Sequence, residues 1–287
     1  MLKLSHIVII LDETIEKEDI CAFCTNIRCE SPEIRFTYYS YDNLIAQETY
    51  QLFTKDDFAR EELFVITDSN EVISFINERN IAGAGLFTKK NRSAGLSGVL
   101  YCIEDIEYTD YSTVLRIWQR FHGIAWKIAE TKRLIIREQT MEDIDALYEI
   151  YADPEISLYT ENLYEDKDEE RKYLREYIDN QYKYYEYGIW ALVDKKSGAL
   201  IGRAGLSLRE GFHNLELGFV IGKKYQRQGY GYEACSKIID YAFNELSENK
   251  LMALCHRKNK ASLGLLKKLG FKAAGVQGKM VYAKLTK

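Results

Sequence analysis

The sequence YQRQGYG at residues 225–231 places two glycines, two positions apart, directly before the run YEACSKIIDYAFNEL at residues 232–246. That run has the apolar spacing of an amphipathic helix. Glycine inside a helix costs about 1 kcal/mol relative to alanine, so two glycines at its start need a reason. The strand-like run NLELGFVI at residues 214–221 precedes them.

A strand, a short loop and a helix start together form a site suited to an anion. The first N–H groups of a helix have no acceptor within it and carry the positive end of its dipole. Glycine has no side chain, so a pyrophosphate can approach the backbone. Lys223, Lys224 and Arg227 add positive charge. The alternative is a loop that needs positive φ angles and binds nothing.

The composition is that of an ordinary globular protein. The chain has 287 residues, of which 46% are hydrophobic and 29% charged, enough for two domains. No apolar run approaches the roughly 20 residues of a membrane span, and the start lacks the pattern of a cleaved signal peptide. We therefore expect a cytoplasmic protein without a membrane partner.

Charge is unevenly distributed along the chain. The net charge is −5, yet residues 223–287 carry 14 Lys and Arg against 4 Asp and Glu. One end of the chain is thus suited to an anion. This basic stretch is too small for a nucleic-acid surface, so no nucleic-acid partner is expected.

Residues 1–128 read as an α/β domain with a parallel sheet. Continuous apolar runs such as HIVIIL, residues 6–11, and LFVITDS, residues 63–69, alternate with amphipathic runs. Ser69 or Asn70 is read as an ordinary helix N-cap. Cys21, Cys24 and Cys29 have no second CxxC pair and no nearby His, so they are interpreted as buried thiols and no metal is expected.

The stretch VITDSNEVISFINERNIAGAG, residues 65–85, resembles the later part of a haloacid-dehalogenase-like domain. That family needs a paired-aspartate motif near its first strand, whereas LDET here supplies Asp12 alone. The resemblance implies an inactive, structural or partner-binding copy rather than a working phosphatase.

Residues 129–287 are predicted to form a second domain with a mixed sheet. The pattern gives a strand, two helices, three strands, a helix, a strand, a helix and two strands. Thr140 is expected to cap the first helix, with Asp143 in its first turn.

The glycine motif and a second motif together resemble the GNAT acyltransferase superfamily. YQRQGYGYEA matches the signature Q/R-x-x-G-x-G/A through Gln226, Gly229 and Gly231, and NKASLGLLKKLGF follows about thirty residues later with Asn259 and Ser262 in place. The nearest branch is similar to ribosomal-protein N-terminal acetyltransferases. The resemblance implies a GNAT domain over residues 129–287 behind an extra α/β domain.

The resemblance implies acetyl-CoA as donor, a primary amine as acceptor and direct attack of the amine on the thioester. Backbone groups of Phe219, Val220 and Ile221 would pair with the pantetheine arm. Asn259 would bond the CoA amides, or alternatively only cap its helix. The pyrophosphate would lie on a loop formed by Gln226, Arg227, Gln228, Gly229, Tyr230 and Gly231.

Two side chains are predicted to carry the chemistry. Glu216 shares a strand face with Gly218 and can accept the proton of the amine, as at the matching position of similar enzymes; the alternative is a solvent-facing carboxylate. Ser262 is the candidate acid for the departing thiolate, because the tyrosine position of the wider superfamily is Leu266 here. Ser262 can instead orient the sulfur or cap its helix.

We therefore predict an acetyl-CoA-dependent N-acetyltransferase acting on a small molecule or a protein N-terminus. The competing hypothesis is a non-catalytic acyl-CoA-binding sensor or scaffold. The tyrosines of residues 173–187 are interpreted as packing residues, although they could line the acceptor cleft. A homodimer stays open, and the sequence does not identify the acceptor.

Overall fold

The computed structural model describes residues 2–11, 15–40 and 59–287. The chain divides into two compact units, Met1–Ile124 and Ala125–Lys287. The boundary predicted at residue 128 lies inside a short strand, Lys127–Glu130. Asp12, which stands alone where the resembled hydrolase family has two aspartates, lies outside the described residues.

The first unit is a parallel sheet with helices, as the sequence predicts. Its described strands lie in the order β2-β1-β3-β4-β5, and every pair is parallel. The described elements are β1 (His6–Leu11), α1 (Lys17–Glu30), β2 (Arg35–Ser40), β3 (Leu63–Thr67), α2 (Asn70–Glu78), β4 (Gly83–Leu86), β5 (Cys102–Ile103) and α3 (Tyr111–Phe121).

The central strand β1 is apolar from Ile7 to Leu11 because both of its faces are covered. Ile7 and Ile9 belong to one core cluster, and Val8 and Ile10 belong to another on the opposite face. Successive strand side chains point to opposite faces, so a strand buried on both sides reads as a continuous apolar run.

The cysteines of α1 differ from the interpretation as buried thiols. Cys21 and Cys29 are exposed, and Cys24 is half-buried. The helix buries Phe23 and Ile27 instead, since its inward face follows the helical repeat of these apolar residues. Ser69 is the N-cap residue of α2, in agreement with one of the two predicted candidates.

The second unit is a mixed sheet flanked by helices. Its described strands have the order β12-β13-β11-β10-β9-β8-β7-β6, and β10 and β11 are the parallel neighbours among them. The elements are β6 (Lys127–Glu130), β7 (Leu134–Arg137), α4 (Ile144–Tyr151), α5 (Pro154–Ser157), α6 (Lys167–Tyr177), β8 (Ile189–Asp194), β9 (Leu200–Ser207), β10 (Glu216–Ile221), α7 (Tyr230–Asn244), β11 (Lys250–His256), α8 (Lys260–Lys268), β12 (Lys272–Gln277) and β13 (Met280–Thr286).

The predicted order of this unit is confirmed from β7 to β13, with two additions. Strand β6 extends the sheet by pairing with β7, and the short helix α5 lies between the two predicted helices. Thr140 is the N-cap of the turn that leads into α4, and its N–H donates to the Asp143 carboxylate at 2.7 Å, as predicted. Helix α7 packs on the sheet through buried residues that include Ile238.

Within residues 2–11, 15–40 and 59–287, no helix is long and apolar enough to cross a bilayer. The same part of the chain gathers no three His, Cys, Asp or Glu side chains in the way a metal site would.

Candidate active site

The two parallel strands of the second sheet separate soon after they meet. Glu216 of β10 is in register with Met252 of β11, and the Met252 N–H donates to the Leu215 carbonyl at 2.9 Å. No later residue of β10 pairs with β11 in the described sheet. A cleft of about 760 Å³ is lined on one side by the end of β10 and on the other by the start of α8.

The backbone of β10 presents unpaired groups to this cleft. β10 pairs along its whole length with β9, and the Gly222 N–H donates to the Ile201 carbonyl at 2.8 Å. Because alternate residues share an edge of a strand, Phe219 and Ile221 turn their N–H groups away from β9. Val220 lines the cleft too, but its backbone faces β9.

The predicted glycine loop closes one end of the cleft. Gly229 is the N-cap of α7, and the N–H of Glu233 donates to its carbonyl at 3.0 Å. The N–H groups of residues 227–232 donate to no acceptor in the described part of the chain. This row of free donors at a helix start is suited to a pyrophosphate.

The two glycines serve different purposes. Gly229 has φ +87°, a left-handed conformation that side chains disfavour. Gly231 is helical, but a Cβ there would lie 3.1 Å from Leu265 Cδ2 and 3.5 Å from Ile221 Cγ1. The positive-φ alternative therefore describes Gly229, whereas Gly231 allows α7 to approach α8 and β10 closely.

The other residues of the loop divide into two groups. Arg227 and Gln226 line the cleft, and the Gln226 amide donates to the Ile221 carbonyl at 2.9 Å. The side chains of Gln228 and Tyr230 are engaged elsewhere, with the Lys224 carbonyl at 2.6 Å and the Asp194 carboxylate at 3.1 Å. Their contribution to an anion site is therefore through the backbone.

Arg133 clamps this loop, a role that the sequence does not reveal. Its Nε lies 2.7 Å from the Glu233 carboxylate, its Nη1 donates to the Gln228 carbonyl at 3.0 Å, and its guanidinium lies 4.0 Å from the centre of the Tyr230 ring. Burial opposes ionisation of Glu233, but hydrogen bonds from Thr131 and Arg133 still lower its pKa. The clamp fixes the first turn of α7 against the turn between β6 and β7.

The residues that give the cleft its positive charge are not all those predicted. Lys223 forms an ion pair with Glu155, and Lys223 and Lys224 do not line the cleft. Arg227 does line it. The other cations of the lining come from the start and end of α8, namely Lys258, Lys260 and Lys268.

Asn259 and Ser262 lie together at the start of α8 and line the cleft. The Asn259 side-chain oxygen accepts the N–H of Ser262 at 3.0 Å, so Asn259 is the N-cap of α8. Burial raises the pKa of the Cys255 thiol, and a hydrogen bond with the Ser262 side chain opposes this shift. The Ser262 hydroxyl thus lies between the cleft and a buried sulfur.

Glu216 lies at the point where the two strands begin to separate, and it is 7% exposed. It does not line the cleft. Its Oε2 accepts a hydrogen bond from Arg209 Nε at 2.6 Å, which the sequence analysis did not anticipate. The predicted base is therefore a buried, ion-paired carboxylate rather than a solvent-facing one.

Two tyrosines of the 173–187 stretch are packing residues. Tyr182 is almost fully buried and hydrogen-bonds Gln139 and the Ile189 carbonyl. Tyr177 accepts the Ile189 N–H at 2.9 Å, and burial raises its pKa to about 12. Tyr173 is 45% exposed. For this tyrosine, the alternative that it lines the acceptor cleft still holds.

Comparison with known proteins places residues 133–272 within a family model described as an acetyltransferase (GNAT) domain. The uncharacterized N-acetyltransferase YnaD of Bacillus subtilis is 30% identical over 146 residues, which cover 50% of this chain and 82% of that protein. The ribosomal protein uS5 alanine N-acetyltransferase of Escherichia coli is 35% identical over 88 residues, 30% of this chain and 45% of that protein. A solved spermidine N-acetyltransferase from Vibrio cholerae, in complex with CoA and spermine, is 20% identical with a TM-score of 0.46, covering 54% of this chain and 96% of that one.

Proposed function

The chain belongs to the GNAT acetyltransferase family, and on that premise we propose that it moves an acetyl group from acetyl-CoA to a primary amine. The acceptor amine belongs to a small molecule or a protein N-terminus. The uS5 alanine N-acetyltransferase relative supports testing the second class.

The cleft between the end of β10 and the start of α8 fits acetyl-CoA. The pantetheine arm pairs with the cleft-facing backbone of Phe219 and Ile221, as an added strand would. The pyrophosphate accepts hydrogen bonds from the free N–H groups of residues 227–232. Arg227 and the lysines of α8 neutralise its charge. The Asn259 oxygen already caps α8, so only its amide N–H₂ is free to bond the ligand.

The chemistry needs a base, an oxyanion donor and an acid. Alkyl ammonium groups have pKa values near 10, so the acceptor must lose a proton before it attacks. Glu216 takes that proton, directly or through water. The neutral nitrogen adds to the thioester carbon, a strand N–H stabilises the oxyanion, the C–S bond breaks, and Ser262 assists protonation of the thiolate.

The observation that carries this proposal is the separation of β10 from β11 immediately after Glu216 and Met252. It leaves strand edge groups free beside a cleft that ends at an unsatisfied helix start. Without that separation, β11 would occupy the position proposed for acetyl-CoA.

The experiment is a two-step assay on the full chain. Calorimetry measures binding of acetyl-CoA, and CoA release is then followed across polyamines, aminoglycosides, amino acids and peptides with free N-termini. Binding with transfer to at least one amine supports the enzyme. Binding without turnover on any amine would support the alternative of an acyl-CoA sensor, which the N-acetyltransferase relatives do not favour.

The remaining assignments are part of the same proposal. Residues 1–128 form a non-catalytic α/β domain, and residues 129–287 form the acetyltransferase domain. The protein acts in the cytoplasm without nucleic-acid, membrane or metal partners, and a homodimer is open to measurement by light scattering.

A further inference from the structure

The carboxylate of Glu216 uses its two oxygens differently. Oε2 accepts the hydrogen bond from Arg209 Nε at 2.6 Å. Oε1 accepts none from the described residues, and it is not among the atoms that are sealed from solvent without a partner. One oxygen is therefore fixed, and the other is available to a ligand.

Arg209 lies between a buried and an exposed carboxylate. It belongs to the connection between β9 and β10, and its Nη2 lies 3.6 Å from Glu161 Oε1. The Glu216 side chain is 9% exposed, whereas that of Glu161 is 91% exposed. An ion pair is weakened by solvent, so the contact with Glu216 dominates. Its hydrogen bond raises the pKa of Arg209, although burial opposes this.

Other charged groups near Glu216 are few. Its sheet neighbours in register are Ser207 on β9 and Met252 on β11, neither of which carries charge, followed by Lys284 on β13. His213 precedes it in the same connection. From the connection between α5 and α6, Glu161 reaches Arg209.

This inference rests on the proposed function. We infer that Arg209 is a positioning residue for acetyl transfer: it holds one oxygen of Glu216 and leaves the other to receive the proton of the acceptor amine. The guanidinium makes no proton transfer itself. It fixes the direction of the carboxylate through the hydrogen bond from Nε to Oε2 at 2.6 Å.

The test uses Arg209→Met, the conservative variant Arg209→Lys, and Glu161→Gln as the matched control at the exposed contact. The acceptor is the amine of the panel that the wild type acetylates fastest. Arg209→Met is expected to lower kcat by about 10- to 100-fold, since a small misplacement of a reacting group has effects of this order. Arg209→Lys restores much of kcat, and Glu161→Gln changes little.

A double variant separates positioning from a general structural role. If Arg209 acts through Glu216, Arg209→Met reduces kcat little further in a Glu216→Gln background. Independent, multiplying losses would overturn the inference, as would a raised KM with kcat unchanged. Thermal unfolding and acetyl-CoA affinity are measured on each variant, and Arg209→Gln carries the same test if Arg209→Met does not fold.

Failure of the proposed function has a different signature. A wild type that binds no acetyl-CoA, or that acetylates no amine, would remove the proposed function and this inference with it. A wild type that transfers acetyl while Glu216→Gln keeps its rate would overturn the inference alone.

Discussion

Two strand–turn–helix units in this protein have the same order of elements. They differ in whether the chain itself or a ligand can occupy their polar groups. In the first unit, β3 ends at Thr67 and α2 begins at Asn70. In the second, β10 ends at Ile221 and α7 begins at Tyr230. The first is closed by the chain's own residues, and the second is open to a ligand.

The chain's own side chains occupy several polar groups of the β3–α2 turn. The Ser69 N–H donates to the Thr67 hydroxyl at 3.2 Å, and the Asn91 side chain donates to the Asp68 carbonyl at 3.1 Å. The Asn70 side chain accepts the Ser97 N–H at 2.9 Å. Pairing of β1 with β3 also continues to Thr67, so no strand edge is released there.

The β10–α7 unit differs in the pairing of its strand and in its backbone N–H groups. Its parallel neighbour leaves after one register pair, and the N–H groups of residues 227–232 have no acceptor in the described residues. A helix start alone is thus not a binding site. We propose that it becomes one where the sheet also opens and Gly229 keeps the approach to the backbone free.

The largest expected effect comes from Glu216, the proposed base at the point where the strands separate. Glu216→Gln keeps the shape of the side chain and removes its charge, so kcat should fall by about 10²- to 10⁴-fold. Acetyl-CoA binding should be retained, because Glu216 does not line the cleft. Steady-state rates and calorimetry check both statements. Near-normal turnover from pH 6 to 9 would place the base elsewhere.

Gly229→Val would close the open unit. Valine at φ +87° is strained by about 1–3 kcal/mol, and its side chain would occupy the anion site. We expect acetyl-CoA affinity to fall by about tenfold or more. Gly198→Val is the matched control, since Gly198 also has positive φ, +71°, with nothing within 4 Å of a Cβ. Equal losses of affinity in both variants would contradict a local effect.

Arg133→Met would leave the loop open but unclamped. The variant loses the contacts with Glu233 and the Gln228 carbonyl, and acetyl-CoA should bind about three- to tenfold more weakly, the effect of roughly 1 kcal/mol. Because the pKa of Glu233 is lowered in the folded protein, the pair stabilises above about pH 4.5, the ordinary value, and is lost as Glu233 protonates in acid. Denaturant unfolding at pH 7 and pH 3 should show a smaller difference between wild type and variant at pH 3.

Ser262→Ala should have a smaller effect on kcat than Glu216→Gln, about threefold, because water can partly replace a hydroxyl as proton donor. Rates with the same acceptor give the order of the two effects. A greater loss for Ser262→Ala would make the serine the principal catalytic group.

The smallest effect is expected in the first unit of the chain, Met1–Ile124, which contains the β3–α2 turn. The first unit should hydrolyse no phosphomonoester, and Asp12→Asn should leave acetyl transfer unchanged. Robust phosphatase activity that Asp12→Asn abolishes would overturn this prediction. It would also indicate that the resemblance of residues 65–85 to a hydrolase domain reflects a working hydrolase.

Much of this protein was determined by its sequence because the deciding residues are neighbours in the chain. The left-handed turn at Gly229 and the succession of strands and helices from β7 to β13 follow from local patterns. The tertiary structure alone decided where β10 leaves β11, that Arg133 reaches Glu233 across 100 residues of sequence, and that Arg209 fixes one oxygen of Glu216. Local patterns record the period and conformation of a segment, whereas ion pairs and strand separations depend on which distant segments the fold brings together.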